Sequence, residues 1–280
     1  MKCASTTLHG DLEQHPDIFC GKKELDAITE PGRYSVEDIY RRNFSGAKPD
    51  QLLGDVSTSY SMLPQYPGVP SKAKQFSSDL KIIYIVREPL SRTLSHHKHM
   101  TNWSGAGRMG PDINDAIKHH PELIHYSCYA MQLQPWIDAF GMERVLVVRF
   151  EDYVSQRKAT VDRVIKFLGL PVRDLQLEES GANRSQDRRY AGKLTLWIYR
   201  SFFFQRLVQP LTPTGLKGFL RLLLLKKSKS TLIPPTAETV DFVIDSVRED
   251  VSKLQTMLSL KEPMWDLDTA RQKQLEWSAS

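Results

Sequence analysis

The chain has 280 residues, of which 40% are hydrophobic and 25% charged, with a formal net charge of +5. These fractions are typical of a globular protein and exclude a disordered chain, and the length suits one large domain, which we place over residues 1–280. The charge fits a polyanionic small molecule, but it is too mild and too evenly spread to indicate a nucleic-acid partner.

The first predicted element is a helix over residues 5–15 that follows a short turn of small residues. The segment Lys2-Cys-Ala-Ser-Thr-Thr-Leu8 leads into this helix, and we expect Ser5 to be its N-cap. A helix N-terminus offers free backbone N–H groups and the positive end of the helix dipole. With Lys2 and several hydroxyl groups beside them, these groups predict a phosphate site.

The rest of the chain predicts an α/β fold, a doubly wound parallel sheet flanked by helices. Residues 21–50 are polar and rich in glycine, proline and charge, so we expect a largely irregular segment. Apolar runs of the buried parallel type predict strands. The predicted strands are 52–56, 81–86 and 144–149, and the predicted helices are 89–101, 121–140 with a break at Pro135, 157–168 and 236–259.

The strand over 81–86 runs directly into a second candidate anion site. Pro89 suits the first turn of a helix, so Arg87 lies at the end of the strand and Ser95 about two turns into the helix. Open α/β sheets bind ligands at strand ends of this kind. An arginine fork together with a serine hydroxyl predicts a second phosphate group there.

Together, the two segments resemble the donor-binding motifs of sulfotransferases that use 3′-phosphoadenosine 5′-phosphosulfate (PAPS). The family patterns are Lys-x-Gly-Thr-Thr, for the 5′-phosphosulfate loop, and Arg-(Asn/Asp)-Pro-x-x-Arg-x-x-Ser, for the 3′-phosphate. The chain departs from the first pattern at Ala4 and Ser5. The resemblance leans toward the carbohydrate and heparan-type branch and its bacterial relatives, and it implies a P-loop-like fold.

The resemblance implies a role for each matching residue and no metal ion. Lys2 would also neutralise charge on the transferred group. Glu24 falls where the family keeps its catalytic base, and Asp55 is the second candidate for that role. Arg184 lies where relatives have a loop that closes over the donor. The implied donor-binding residues are Lys2, Ala4, Ser5, Thr6, Thr7, Arg87, Ser95 and Arg184.

Two candidate groups have a simpler alternative interpretation. Glu24 would take the proton of the acceptor, and a closing, dehydrated cleft can raise the pKa of such a carboxylate toward neutrality. The alternative is an exposed acid whose charge is balanced by the neighbouring lysines. The histidines in His96-His97-Lys-His99 look like metal ligands. Because successive residues on a helix point in different directions, we expect a solvated helix face instead.

The implied fold has a buried central strand ahead of the first loop, and the sequence has none there, so we expect the first strand to be missing.

The resemblance and its departures leave two classes of function. One is a sulfotransferase that moves the sulfuryl group from PAPS to a hydroxyl or amine of a carbohydrate or small lipid-like acceptor. The other is a non-catalytic or degenerate nucleotide-binding protein of the same fold. A kinase is disfavoured because the sequence has no Gly-Lys-Ser/Thr loop.

Residues 190–230 depart from the regular alternation of strands and helices. Basic and aromatic residues over 194–229 predict either peripheral membrane contact or a helical subdomain packed on the core. The sequence has no secretory leader and no uncharged apolar run of spanning length, so we expect a cytoplasmic protein as the chain stands, or a Golgi membrane protein if an N-terminal anchor has been lost. The three cysteines predict reduced thiols.

Overall fold

The computed structural model describes residues 2–101, 109–177, 189–191, 225–227 and 232–279. The described helices are α1 Ser5–Leu12, α2 Val36–Asn43, α3 Val69–Phe76, α4 Pro89–Thr101, α5 Ile113–His119, α6 Glu122–His125, α7 Tyr129–Phe140, α8 Phe150–Ser155, α9 Arg157–Leu168, α10 Ala237–Met257 and α11 Leu267–Ala279. The described strands are β1 Ile18–Cys20, β2 Leu52–Gly54, β3 Ile82–Val86, β4 Val145–Arg149, β5 Arg189–Ala191 and β6 Leu225–Lys227.

The first four strands form two separate parallel pairs. Strand β1 pairs with β2, and β3 pairs with β4 from Ile82 opposite Val145 to Val86 opposite Arg149. Parallel strands connected through helices are the predicted α/β arrangement. Within the described ranges, no strand joins the two pairs. Strands β5 and β6 form an antiparallel pair of their own.

Helices cover both faces of the β3–β4 pair, because successive side chains of a strand point to opposite faces. Val86 and Val145 belong to a core formed mainly with α5, α7 and α10. Val148 belongs to the core on the other face, formed mainly with α1 and α9. The carboxyl ends of the strands therefore lie between two helical layers, and the N-terminus of α1 belongs to the second layer.

Several predicted boundaries are confirmed, since α4 and α9 match the predicted ranges and α10 lies within its own. Residues 21–50 are less irregular than expected, because Ser35 caps α2 by accepting from the Asp38 N–H. The predicted helical segment 190–230 lies outside the described residues, apart from the short strands β5 and β6.

The predicted break at Pro135 is wrong, because α7 continues through that residue. The chain breaks earlier, between α6 and α7. There the Leu123 carbonyl accepts hydrogen bonds from the side chains of Arg92 and Thr93. A carbonyl engaged in this way is drawn off the helical ladder, and the Ser127 N–H bonds to the Ile124 carbonyl instead.

The solvated helix face predicted around His96 is also wrong. His96 and His97 are only 2% and 3% exposed. The His96 ring stacks on Tyr126, and His97 Nε2 lies 2.8 Å from the Gly110 carbonyl oxygen. Helix α4 is buried on this side because other helices pack against it, which a polar sequence pattern does not reveal.

Candidate functional site

The loop before α1 has the backbone geometry of an anion cradle. Lys2 and Ala4 both adopt left-handed backbone angles, with φ of 71° and 65°. Ala4 is the N-cap and makes no side-chain cap, and the first turn of α1 contains no acidic residue. The prediction that Ser5 caps the helix is therefore wrong, because Ser5 is already the first helical residue. The first two N–H groups of the helix, those of Ser5 and Thr6, have no acceptor within the helix and can bind an anion.

The left-handed conformation at Ala4 has a cost. An L-residue with a Cβ atom there is strained by about 1–2 kcal/mol, and glycine would avoid that strain. The Ala4 carbonyl accepts from the N–H groups of Thr7 and Leu8, at 2.9 and 3.1 Å, which starts the helix. Ser5 and Thr6 follow in the first turn, and Thr6 is exposed. Strain held at one position of this kind is typical of functional loops.

Arg87 lies where β3 ends, and its guanidinium reaches the N-terminal loop. Arg87 Nη1 donates to the Lys2 carbonyl oxygen at 3.3 Å. The guanidinium carbon lies 4.6 Å from the centre of the Phe150 ring, a cation–π contact. The two segments that sequence analysis identified separately, 85 residues apart, therefore meet at one edge of the sheet.

Ser95 lies on α4, in the second turn after Pro89, as predicted. It is partly buried, and its hydroxyl has no hydrogen-bond partner among the described residues. The hydroxyl is consequently free to bind a ligand. Arg184 falls outside the described residues.

The β1–β2 pair brings Glu24 and Asp55 to one end of its own two-stranded sheet. The strands end with Cys20 opposite Gly54, and the Glu24 N–H continues the pairing by donating to the Val56 carbonyl at 2.9 Å. Parallel strands end at one edge of a sheet. The two candidate bases therefore lie near each other.

The surroundings of Glu24 keep it ionised. Burial raises its pKa, but hydrogen bonds from Lys23 and Thr58 and the Lys23 charge outweigh that effect, so the pKa lies below its ordinary value. The Thr58 N–H and hydroxyl donate to the carboxylate at 2.9 and 3.0 Å. The expected upward shift of the Glu24 pKa is therefore wrong, because donors surround this carboxylate.

The Asp55 carboxylate accepts hydrogen bonds from three hydroxyl groups. It accepts from Tyr60 at 2.6 Å, from Ser57 at 2.7 Å and from Tyr40 at 3.1 Å. Burial, together with this carboxylate, raises the pKa of both tyrosines, so they stay protonated donors. These bonds indicate that Asp55 organises the loop after β2.

Sequence analysis missed Asp26, a third carboxylate of this region. Burial raises its pKa, as do the charges of Glu24, Glu30 and Asp55, while a hydrogen bond from Ser59 lowers it, and the net shift is upward. Its φ of 52° is left-handed, like the 56° of Glu24. The only sequence signal was its place two residues after Glu24.

Sequence analysis also assigned no role to Tyr129 and Phe150, both of which contact Arg87. The only signal was that the segments Ser127-Cys-Tyr129 and Arg149-Phe-Glu-Asp152 resemble short motifs of the family, in the family's order along the chain. In the described part of the chain, no group of three or more His, Cys, Asp or Glu side chains is arranged to hold a metal ion. No helix in the described ranges has both the length and the apolar composition needed to cross a membrane.

Comparison with known proteins finds similarity to sulfotransferases. Residues 67–193 match the model of the sulfotransferase domain. Heparan sulfate glucosamine 3-O-sulfotransferase 5 of Mus musculus is 23% identical over 173 residues, which cover 58% of this chain and 49% of that protein. Carbohydrate sulfotransferase 15 of Mus musculus is 22% identical over 286 residues, covering 72% of this chain and 50% of that protein.

The chain thus spans about half the length of the curated relatives that it matches. Its fold is similar to that in the crystal structure of a sulfotransferase from Alicyclobacillus acidocaldarius, with a TM-score of 0.60 and 20% identity over 92% of both chains. The family model begins before the Arg87 motif and contains it. The chain is thus similar to sulfotransferases, over residues 67–193 of its sequence and in its fold.

Proposed function

We propose that this chain transfers the sulfuryl group of PAPS to a hydroxyl or amine of a carbohydrate or small lipid-like acceptor. The observation that carries the proposal is the contact between Arg87 Nη1 and the Lys2 carbonyl. It joins two anion-binding segments into one site, and a donor with phosphate groups at both ends needs such a site. The match of residues 67–193 to the sulfotransferase domain supports the same reaction.

The N-terminal loop would bind the 5′-phosphosulfate. Lys2 would supply a positive charge, and the free N–H groups that begin α1, with the hydroxyls of Ser5, Thr6 and Thr7, would bind the anionic oxygens. Ala4 would contribute its backbone alone. Charge neutralisation and in-line positioning are the main requirements of sulfuryl transfer, as of phosphoryl transfer.

The 3′-phosphate would bind at the end of β3. The Arg87 guanidinium would form charge-assisted hydrogen bonds to it, and the free Ser95 hydroxyl would donate one more. Phe150 restricts the guanidinium to one plane, since it lies under the Arg87 side chain. We keep Arg184 as a further donor-binding residue on the strength of its sequence position alone.

Glu24 would accept the proton from the attacking hydroxyl. Because its pKa lies below the ordinary value, the carboxylate is ionised at neutral pH and ready to accept a proton. The proton moves from the acceptor oxygen to the Glu24 carboxylate as that oxygen bonds to sulfur and the bond to the leaving phosphate breaks. We assign Asp55 to holding Tyr40 and Tyr60 beside the acceptor.

A carbohydrate acceptor is favoured by the relatives, whose names describe sulfotransferases of heparan sulfate and of carbohydrate. Hydroxyl-rich surroundings suit such an acceptor, because sugar hydroxyls both donate and accept hydrogen bonds. Ser57, Thr58 and Ser59 follow β2 and supply hydroxyls next to the candidate bases.

Two measurements on the full chain test the proposal. Isothermal titration with adenosine 3′,5′-bisphosphate, the donor product, should show saturable binding. Transfer of labelled sulfate from PAPS to a panel of sugars, amino sugars and small hydroxylated lipids should identify the acceptor class. Binding without transfer to any acceptor would support the non-catalytic alternative, and absence of binding would refute both function classes.

A further inference from the structure

The turn between β3 and α4 has an acceptor for each backbone N–H group that it contains. The Arg87 N–H donates to the Tyr129 hydroxyl at 3.2 Å, and that hydroxyl donates to the Arg87 carbonyl at 2.7 Å. The next N–H group, that of Glu88, donates to Glu151 Oε1 at 2.9 Å. Two side chains from other elements therefore hold the backbone on both sides of the Arg87 Cα.

The remaining N–H groups of the turn donate to Glu88, a residue of the turn itself. Pro89 has no N–H group, and the N–H groups of Leu90 and Ser91 both donate to the carboxylate of Glu88 at 2.7 Å. This pattern caps the N-terminus of α4. Since buried backbone groups are costly to leave unpaired, each of these acceptors helps to fix the conformation of the turn.

Glu151 connects this turn to two aromatic side chains. Its second oxygen, Oε2, accepts from Trp265 Nε1 at 3.3 Å. Trp265 packs against Tyr129, with ring centres 5.7 Å apart, so the two supports of Arg87 also contact each other. Phe150, the residue before Glu151, lies under the Arg87 guanidinium. Phe150 and Glu151, the first two residues after β4, thus contact both the Arg87 side chain and the backbone next to it.

We propose that Glu151 is a positioning residue, which holds the β3–α4 turn so that Arg87 meets the 3′-phosphate of the donor. This inference rests on the proposed function. Glu151 itself does not touch the donor, and its role is exerted through the Glu88 N–H and the Phe150 ring.

The negative charge of Glu151 and its positioning role predict opposite effects of its removal on anion affinity. A carboxylate close to an anion site repels the anion, so its removal would strengthen binding if charge alone mattered. Glutamine has the size of glutamate, but it offers one acceptor oxygen and places an NH₂ group against an N–H donor. If geometry dominates, Glu151→Gln weakens binding of the 3′-phosphate in spite of the lost negative charge.

The experiment titrates the full chain and its Glu151→Gln variant with adenosine 3′,5′-bisphosphate and with adenosine 5′-monophosphate, which lacks the 3′-phosphate. We expect the preference for the bisphosphate to fall about tenfold, the effect of one hydrogen bond to a charged group. Affinity for the monophosphate should change by less than about twofold, since positioning acts only on the 3′-phosphate. Asp152→Asn, which changes the neighbouring carboxylate, should leave both affinities unchanged.

The coupling to Arg87 distinguishes positioning from a general structural role. In an Arg87→Ala background, Glu151→Gln should cause no further loss of bisphosphate affinity. An unchanged or increased preference for the bisphosphate, or an equal loss for both nucleotides, would overturn the proposal. If Glu151→Gln fails to fold, Trp265→Phe removes one donor to the same carboxylate and must lower the preference in the same direction. A wild-type chain that binds neither nucleotide would instead refute the proposed function.

Discussion

Arg87 shows how one side chain gains its function from its neighbours. On its own, an arginine at a strand end binds carboxylates as readily as phosphates. Here its guanidinium is directed at the N-terminal loop, stacks on Phe150 and has no salt-bridge partner among the described acidic residues. Its charge is therefore available to an anionic ligand.

We predict that Arg87→Ala weakens binding of adenosine 3′,5′-bisphosphate by about 1.5–3 kcal/mol, the contribution of a hydrogen bond to a charged group. Isothermal titration measures the effect. Arg144→Ala is the matched control, because Arg144 precedes β4 and so lies at the opposite edge of the sheet from the donor. Unchanged affinity in a folded Arg87→Ala variant would exclude Arg87 from the donor site.

Glu24 is the residue on which turnover should depend. Glu24→Gln conserves volume and should keep bisphosphate binding, while sulfate transfer to the acceptor found in the panel should fall about 10²–10⁴-fold, as expected for loss of a general base. Because the Glu24 pKa is lowered, wild-type activity should persist as the pH falls and decline only below the ordinary range of a glutamate.

The same experiment can show that Glu24 is not the base. If Glu24→Gln retains nearly full turnover and Asp55→Asn abolishes it, Asp55 is the base. Loss of bisphosphate binding in Glu24→Gln would show instead that Glu24 belongs to the donor side.

At the scale of elements, α1 is fixed to α8 and α9 by one buried acid. The Asp11 carboxylate accepts from the Tyr153 hydroxyl and from both ends of the Arg157 guanidinium, with Arg157 Nε at 2.9 Å. The Asp11 side chain is 2% exposed and that of Arg157 is 16% exposed. Since α1 carries the N-terminal loop, this ion pair also fixes where the loop lies.

We predict that Asp11→Ala lowers the free energy of unfolding by about 2–3 kcal/mol, because it leaves a mostly buried guanidinium and a buried phenol without their partner. Urea unfolding measures the loss. Glu13→Ala, at an exposed position just past the end of the same helix, should change stability by less than about 0.5 kcal/mol. Equal effects of the two substitutions would contradict the assignment.

At the scale of the whole molecule, buried neutral histidine makes stability depend on pH. Burial, with the charge of Arg92 in addition, lowers the pKa of His96 to about 2. Unfolding returns the pKa to about 6.5, so below that pH the unfolded chain binds a proton that the folded chain does not bind. The contribution of His96 is full above pH 6.5 and is lost progressively as the pH falls.

We predict that wild-type stability falls between pH 7.5 and pH 5.5 by roughly 1 kcal/mol more than that of His96→Gln, which cannot titrate. Thermal and urea unfolding at both pH values measure the difference. His119→Gln removes a histidine whose side chain is 70% exposed and should behave like wild type. A wild-type pH dependence identical to that of His96→Gln would show that folding does not lower the pKa of His96.

The sequence alone determined the elements that depend on local pattern. Continuous apolar runs and Pro89 placed β3 and α4, and hydrophobic spacing placed α9 and α10. The motif around Arg87 could be recognised as a candidate donor site because its arginine, proline and serine follow one another within a single strand–helix unit. Glu24 and Asp55 could be selected as candidate bases only through the family resemblance, since they match positions at which the family keeps an acid.

Only the tertiary structure decided what depends on contacts between distant segments. It buried His96 and His97, which a polar pattern placed in solvent, and it surrounded Glu24 with donors that reverse the expected direction of its pKa shift. It also placed Glu151, 63 residues beyond Glu88, against the backbone of the donor-site turn. Burial and hydrogen bonding between such segments arise from packing, so no local pattern encodes them.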